Sequence, residues 1–411
     1  MNTATEPQAG ISRKLVVLLS FATGATVANM YYAQPLLHTL GRAFHVGTGT
    51  SGLLVTFAQI GYVIGLALLV PLGDLVERRA LITNAMFLVA IGQAVACIAP
   101  DLAVFAVAIT FVGVATFAAQ VIVPMSSHLA AEHERGKVVG TVMSGLLIGV
   151  LCSRTLSGVL AGLFGWRSVF GVAAASMLVM SLVLRRVLPK VAPTSSLPYR
   201  EALTSVLTLV RHEPILRQRM VLGACAMGCF SVLWTALSFL LSGVHGSHYH
   251  YSNTVIGLFG LAGLAGASAA QVVGRLADRG HGKLATTATL ILLLVSWLVL
   301  YVGKGPVLVL IIGIMVLDLG VQGTQIGNQA AIYQLHPDAR SRLTTAYMVA
   351  YFLGGVALSS VTGVLYASDG WGAVCILGAA TAAVGLVTWI ATARLAVTPV
   401  RHHETDLSAA S

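Results

Sequence analysis

Apolar stretches long enough to cross a lipid bilayer follow one another along almost the whole chain. They are centred near residues 25, 61, 90, 114, 151, 177, 231, 264, 293, 318, 353 and 382. A helical crossing takes roughly 20 apolar residues, so the chain is predicted to form an all-α membrane protein of twelve helices. Runs such as Ile291-Leu292-Leu293-Leu294-Val295 do not alternate, which excludes the short alternating strands of a membrane barrel. Of the 411 residues, 57% are hydrophobic and 9% charged. Soluble domains carry about 25% charged residues, so a soluble protein on a single anchor does not fit. The first apolar run, from Leu15, leads through Tyr31-Tyr32-Ala33-Gln34-Pro35 into more membrane. It is read as a crossing and not as a cleaved signal.

The chain also repeats itself. Gly73-Asp74-Leu75-Val76-Glu77-Arg78-Arg79 returns 201 residues later as Gly274-Arg275-Leu276-Ala277-Asp278-Arg279-Gly280. Ser157-Gly158-Val159-Leu160 with Trp166 returns 205 residues later as Thr362-Gly363-Val364-Leu365 with Trp371. Two landmarks at nearly one offset predict two pseudo-symmetric six-helix bundles, and parallel membrane repeats of this kind mark transporters. The expected organisation is a bundle over residues 1–188, a linker over 189–216, a second bundle over 217–393 and a tail over 394–411. In the linker, Leu203, Val206, Leu207 and Val210 share one helical face between Pro198 and Pro214. A short helix lying at the membrane interface is expected there.

A net charge of +10 invites a nucleic-acid reading, but the distribution of charge rejects it. With the N-terminus placed in the cytoplasm, all but four of the 24 Lys and Arg residues fall in loops on that side. Arg42, Arg167 and Lys304 fall on the other side, and Arg154 lies within a crossing. This asymmetry orients the chain by the positive-inside rule and puts both termini in the cytoplasm. The bilayer, not nucleic acid, is the expected partner of the surface.

Six plus six crossings, a long central connection and a Gly-x-Leu-x-acid-Arg motif after crossings two and eight resemble the major facilitator superfamily (MFS). The resemblance covers nearly the whole chain. Val27-Ala28-Asn29-Met30-Tyr31-Tyr32-Ala33-Gln34-Pro35 and Pro71-Leu72-Gly73-Asp74-Leu75-Val76-Glu77-Arg78-Arg79 look like its bacterial sugar-efflux-like or drug:proton-antiporter-like branch. Arg79 stands where that motif usually has glycine, and Asp74 is an extra acid. Ala108-Ile109-Thr110-Phe111-Val112-Gly113 lacks the arginine usual in crossing four. Gly145-Leu146-Leu147-Ile148-Gly149-Val150 lacks the proline usual in crossing five of the drug antiporters. Both absences count against the antiporter branch and leave the fold untouched. The resemblance implies a secondary transporter of the bacterial inner membrane.

Among the acids, Asp318 alone falls deep in a crossing, and among the bases Arg154 alone does. Each costs about 2.5–3.5 kcal/mol at a helix centre on insertion scales, so each is expected to face a cavity or a partner. In the resembled fold, crossing ten lines the central cavity and crossing five flanks it, which makes an Arg154–Asp318 pair geometrically possible. Either the pair is a proton-coupling switch, with Asp318 as the proton site, or it is a static tie. Asp318, Gln322, Gln325 and Gln329 step by 4, 3 and 4 residues and form one helical stripe. Such a stripe faces protein or water, not lipid. Asn29, Tyr32 and Gln34 in crossing one, and Ser231, Trp234, Thr235 and Ser238 in crossing seven, are its expected companions around a substrate. Tyr32 and Trp234 could stack on that substrate or anchor at the interface.

The two copies of the loop motif (Gly73, Asp74, Glu77, Arg78; Gly274, Asp278, Arg279) are expected to gate. By resemblance, Glu77 or Asp74 docks near Arg340 and Arg342 at the start of crossing eleven. Gly61, Gly65, Gly140, Gly145, Gly149, Gly158, Gly257, Gly260, Gly263, Gly266, Gly354 and Gly355 are expected where the halves meet, because small residues let backbones approach. Cys225 with Cys229, and the cluster His245, His248 and His250, are too poor in ligands for a metal site. No cofactor is implied, no phosphate-cradling loop points to ATP, and no catalytic cluster points to an enzyme.

The reading is therefore a secondary active transporter, functional as a monomer, that exports a small organic compound against protons by alternating access. The alternatives are an uncoupled facilitator or importer, and a non-transporting membrane sensor. One acid suits a neutral or cationic substrate and Arg154 suits an anion, so substrate charge stays open.

Overall fold

The computed structural model describes residues 11–191, 193, 198–263, 273, 276, 279, 281–336 and 339–393. Every regular element among them is helical. The helices are α1 (Arg13–Ala28), α2 (Leu37–Ala43), α3 (Thr48–Ile64), α4 (Arg78–Ile98), α5 (Leu102–Ala115), α6 (Ala118–Leu129) and α7 (Arg135–Phe164). They continue as α8 (Trp166–Val187), α9 (Tyr199–His212), α10 (Pro214–Leu241), α11 (Asn253–Leu258), α12 (Gly282–Val302), α13 (Val307–Tyr333) and α14 (Arg340–Ala391). Among the described residues, nine helical stretches are long and apolar enough to cross a membrane. One of them, α14, is 52 residues long and consists of two crossings joined at Gly370, where φ is 71°. The first crossing is broken into α1 and α2, and the eighth is described as far as Gly263. The predicted all-helical membrane architecture is thus the one observed.

Successive crossings alternate in direction. As a result α1, α4, α7, α10, α12 and the first leg of α14 all start at one end of the bundle. That end, here the basic end, holds Arg13, Arg78, Arg135, Arg217, Lys283 and Arg340.

Local chemistry sets the helix ends. Asp101 caps α5 by accepting from the Val104 amide at 2.9 Å, and Glu77 caps α4 by accepting from the Arg79 and Ala80 amides at 2.9 and 3.0 Å. Pro214 opens α10, where its missing N–H is not needed. At the far end from the basic residues, α7 passes to α8 through Gly165 alone, with φ 82°. Gly370, with φ 71°, is followed by Trp371 as Gly165 is followed by Trp166. The duplicated tryptophans therefore mark two turns of positive φ, which glycine adopts without the penalty of a Cβ. Trp166 packs edge-on with Phe44, Phe105 and Phe170, and the Trp371 indole donates to the Leu300 carbonyl at 2.9 Å.

The break in the first crossing places irregular backbone at membrane depth. Its amides are satisfied by short-range bonds, Met30 to the Val27 carbonyl and Tyr31 to the Ala28 carbonyl, both at 3.0 Å. The Ser157 hydroxyl of α7 donates to the Tyr32 carbonyl at 2.6 Å and ties the break to its neighbour. Such backbone is tolerated in a membrane where protein buries it, and Met30, Tyr31, Tyr32 and Gln34 are all buried.

Glycines decide which helices approach most closely, and part of the expected set lies where the halves meet while the rest does not. Gly145 and Gly149 lie against Ser20 and Gly24 of α1, and Gly61 and Gly65 lie against Thr110 and Val114 of α5. Gly354 meets Ala224 of α10, and nothing comes near a Cβ at Gly140. These six are packing positions between helices of the same half of the chain or open positions, not contacts between halves. Contact between the first and second halves is made, as expected, by Gly158 with Gly257, by Gly260 and Gly263 with α7 and by Gly355 with Gln59, and also by Gly52 with Gly363, a pair outside the expected set. Gly266 lies outside the described residues. Helix α10 is the most enclosed element, with every residue from Cys225 to Leu241 buried.

Adding bulk tests this assignment. Gly149→Val is expected to push α1 from α7 and destabilise the fold by about 1–3 kcal/mol, as overpacking commonly does. Gly140→Val should change little. Thermal unfolding of the detergent-solubilised protein measures both, and equal melting of the two variants would refute the packing described.

Candidate functional site

Arg154 stands in the middle of α7 and Asp318 in the middle of α13, 1% and 4% exposed respectively. They do not form the ion pair that sequence allowed, since no pair within 4.0 Å joins them. Arg154 is engaged elsewhere. Its Nε donates to Gln34 Oε1 at 2.9 Å, across from the broken first crossing. Its guanidinium lies 3.8 Å from the ring centre of Trp234, 4.9 Å from that of Tyr31 and 5.1 Å from that of Phe230. A desolvated cation over an aromatic face gains about 2 kcal/mol, and here three rings surround it.

The two charges nonetheless share one location. A Cβ at Gly260 would lie 2.9 Å from Arg154 Cβ, and one at Gly263 would lie 2.7 Å from Asp318 Oδ2. Gly260 and Gly263 are three residues apart in one short helical segment. Positions at that spacing lie about 5–6 Å apart. Glycine at both positions is what lets α7 and α13 bring charged side chains against the same turn.

Four polar atoms at this location have no hydrogen-bond partner: Arg154 Nη2, Gln34 Nε2, Trp234 Nε1 and Asp318 Oδ1. Leaving one buried polar atom unpaired costs about 1–3 kcal/mol. Buried polar groups are otherwise almost always paired, so four together have the character of a binding site more than of a core.

The remaining expected cavity residues divide. Thr235 is buried with its hydroxyl unpartnered. Gln322, Gln325 and Gln329 are half-buried along one side of α13. Tyr351 donates to Gln325 Oε1 at 3.3 Å, and Gln329 reaches Met348 Sδ at 4.0 Å. Asn29 is a correction. Its amide donates to the Ala25 and Thr26 carbonyls, and its oxygen accepts from Gln93 at 2.8 Å, so its polar atoms serve the interior of the first half. Tyr32 is buried against Ser157, not placed at the interface. Ser231 accepts from Gln59 at 2.9 Å and Ser238 donates to the Pro35 carbonyl at 3.3 Å, so both join the halves.

Sequence reasoning missed Tyr31 and Phe230, whose rings flank Arg154. Phe230 lies one turn before Trp234, a spacing that puts both on one face. It also missed Arg219, read as a loop base because it stands in the second turn of α10. Arg219 is 5% exposed, donates to Thr286 and Asn328 at 3.1 and 3.2 Å, and lies 4.8 Å from the Trp389 ring centre. Asn328 therefore belongs to this second cluster.

At the basic end, Arg78 is buried. It donates through Nε to the Gly73 carbonyl at 2.8 Å and through Nη2 to Asp74 Oδ1 at 2.9 Å. Asp74 Oδ2 accepts from Ser341 Oγ at 3.5 Å, at the start of α14. The acid meeting that helix is therefore Asp74, through Ser341 and not through Arg340 or Arg342. Glu77, the other candidate, caps α4. A helix start carries partial positive charge that favours an acid there. Arg340 is exposed, as is Arg279. Gly274 and Asp278 lie outside the described residues. Cys229 donates to the Gly378 carbonyl at 3.5 Å, and His248 bonds the Gly305 carbonyl at 2.9 Å.

The Major Facilitator Superfamily model matches residues 19–323 and, again, residues 224–410. The transporter YgaY of Escherichia coli (strain K12) is 47% identical over 385 residues, covering 94% of this chain and 97% of its own. The transporter SCO4007 of Streptomyces coelicolor is 31% identical over 387 residues, covering 94% of this chain and 89% of its own. The crystal structure of the nucleoside transporter NupG superposes with a TM-score of 0.73 at 13% identity, over 92% of this chain and 98% of that one. An all-helical membrane fold and matches along its whole length make the chain a member of the major facilitator superfamily.

Proposed function

We propose that this transporter exports a small organic compound in exchange for protons, by alternating access, as a monomer in the bacterial inner membrane with both termini in the cytoplasm. The observation that carries the reading is Asp318. Its carboxylate is buried in the middle of a membrane helix, and its Oδ1 has no partner. A proton or a donor group of the substrate would satisfy that oxygen. The two compete for one place, and that competition is the physical basis of exchange. Arg154 stands beside it without bonding to it, so its charge acts on Asp318 without closing the site. A proton moving down 100 mV supplies about 2.3 kcal/mol to drive the export step.

The contacts between halves fit movement about this centre. Glycine pairs and small polar side chains join them away from the basic end, and the Asp74–Ser341 contact joins them at the basic end. In this reading the basic end is cytoplasmic, and Asp74 holds it shut until the halves rock apart.

Asp318→Asn is expected to fold and to lose coupling. Inverted vesicles with a pH-sensitive dye would be challenged with dyes, sugars, amino acids and biocides. A compound that releases protons in wild type should release at least about 10-fold fewer in the variant. Coupled flux retained in Asp318→Asn would refute the assignment. Compounds crossing without any proton signal in wild type would establish an uncoupled facilitator.

The two acids of the loop motif should separate cleanly. Asp74→Ala should slow transport several-fold by weakening the closed basic end. Glu77→Ala removes a helix cap worth about 0.5–2 kcal/mol and should lower stability with transport per folded molecule unchanged. Initial rates normalised to folded protein decide between them, and equal rates in both variants would rule out the gate.

A further inference from the structure

We infer that the compound accepted at the centre of this transporter is a small zwitterion, its carboxylate held by Arg154 and Gln34 and its ammonium held by Asp318. The inference rests on the reading of this location as the substrate site, and it names the substrate's chemistry, which that reading leaves open.

The unpartnered atoms are of two kinds and are sorted in space. Three are donors: Arg154 Nη2, Gln34 Nε2 and Trp234 Nε1. Two of them converge, because Gln34 is hydrogen-bonded to Arg154, while the Trp234 indole stacks on Arg154 and turns its N–H toward the Asp318 carboxylate without closing a hydrogen bond. All three side chains are at most 4% exposed. A guanidinium and an amide donor side by side call for an acceptor with several lone pairs and negative charge. A carboxylate has about four such positions and pairs strongly with arginine. The fourth atom, Asp318 Oδ1, is an acceptor and calls for a charged donor. An ammonium supplies three N–H groups and the opposite charge.

A ligand of one charge fits poorly. A simple anion would meet Arg154 but face the Asp318 carboxylate at close range. A simple cation would meet Asp318 but face the guanidinium. Both charged side chains rest against one turn of the segment Phe259–Gly263, so neither can be avoided. A molecule carrying both charges a few bonds apart turns each repulsion into an attraction, and discrimination arises as much from the penalties on wrong ligands as from contacts to the right one.

The protein does not satisfy the two groups with each other. Arg154 is fixed by Gln34 and by three rings, and this holds it away from Asp318. Each charge is thereby left to find its partner on a ligand. The arrangement also suits exchange, since an ammonium and a proton are alternative occupants of the same carboxylate.

The test is equilibrium binding to the purified full-length protein in detergent, without a gradient, read as a shift in thermal unfolding against ligand concentration. The probes are glycine, alanine, leucine, phenylalanine and γ-aminobutyrate. Each is measured beside its amide, which lacks the carboxylate, and its deaminated acid, which lacks the ammonium. At least one zwitterion should bind, with its amide and its deaminated acid each about 10-fold or more weaker. In Asp318→Asn the advantage over the deaminated acid should vanish, and in Arg154→Gln the advantage over the amide should vanish. The comparison in wild type stands alone if a variant fails to fold. Preference for an amide or a deaminated acid over its zwitterion, or binding by none of the zwitterions, would overturn the inference. Zwitterion binding with no proton movement in vesicles would sink the coupling and keep the ligand class. Proton movement driven only by singly charged compounds would do the reverse.

Discussion

A guanidinium buried at the centre of a membrane protein and held by aromatic faces instead of an acid is the interaction on which this structure turns. Water and counter-ions are absent from the bilayer core, so a charge placed there must be stabilised by what the fold brings to it. Three separate parts of the chain converge to do so: α7 supplies Arg154, the broken first crossing supplies Tyr31 and Gln34, and α10 supplies Phe230 and Trp234. The break in the first crossing, the dense burial of α10 and the glycines of the segment after α11 all bear on this convergence. It joins the two halves of the chain at the level where a solute would have to pass.

The fold was open to sequence reasoning because its main constraint is one of solvent. Twelve apolar stretches and a doubled motif admit few architectures. Arg154 and Asp318 were conspicuous for the same reason, as isolated charges in apolar runs. Their relationship was not legible, because whether two side chains meet depends on what else competes for them. Gln34 and the rings won that competition for Arg154. Arg219 escaped notice because nearness to the end of an apolar run looks like exposure, whereas a side chain in the second turn of a helix can still point inward.

The glycines show the same limit. Small residues announce close approach but do not name the neighbour. Gly149 and Gly158 lie on one helix nine residues apart, and one faces α1 while the other faces α11. A rotation of 100° per residue carries them to different sides, so the neighbour follows from the assembled bundle and not from the residue type. The two acids of the loop motif divided in the same way. Glu77 precedes the first turn of α4 and is drawn to its free amides. That left Asp74 to meet the start of α14.

The single-glycine turns at Gly165 and Gly370 bear on how the protein enters the bilayer. A pair of crossings joined by a long polar loop must carry that loop through the lipid, at a cost that rises with each charge. Here the fifth and sixth crossings, and the eleventh and twelfth, reverse on one residue. The charge following the first turn, Arg167, is met by the carbonyls of Cys97 and Ala99. Each pair can therefore insert as a closed hairpin with a short tip, whose nearest charge is Arg167 in the first and Asp369 in the second.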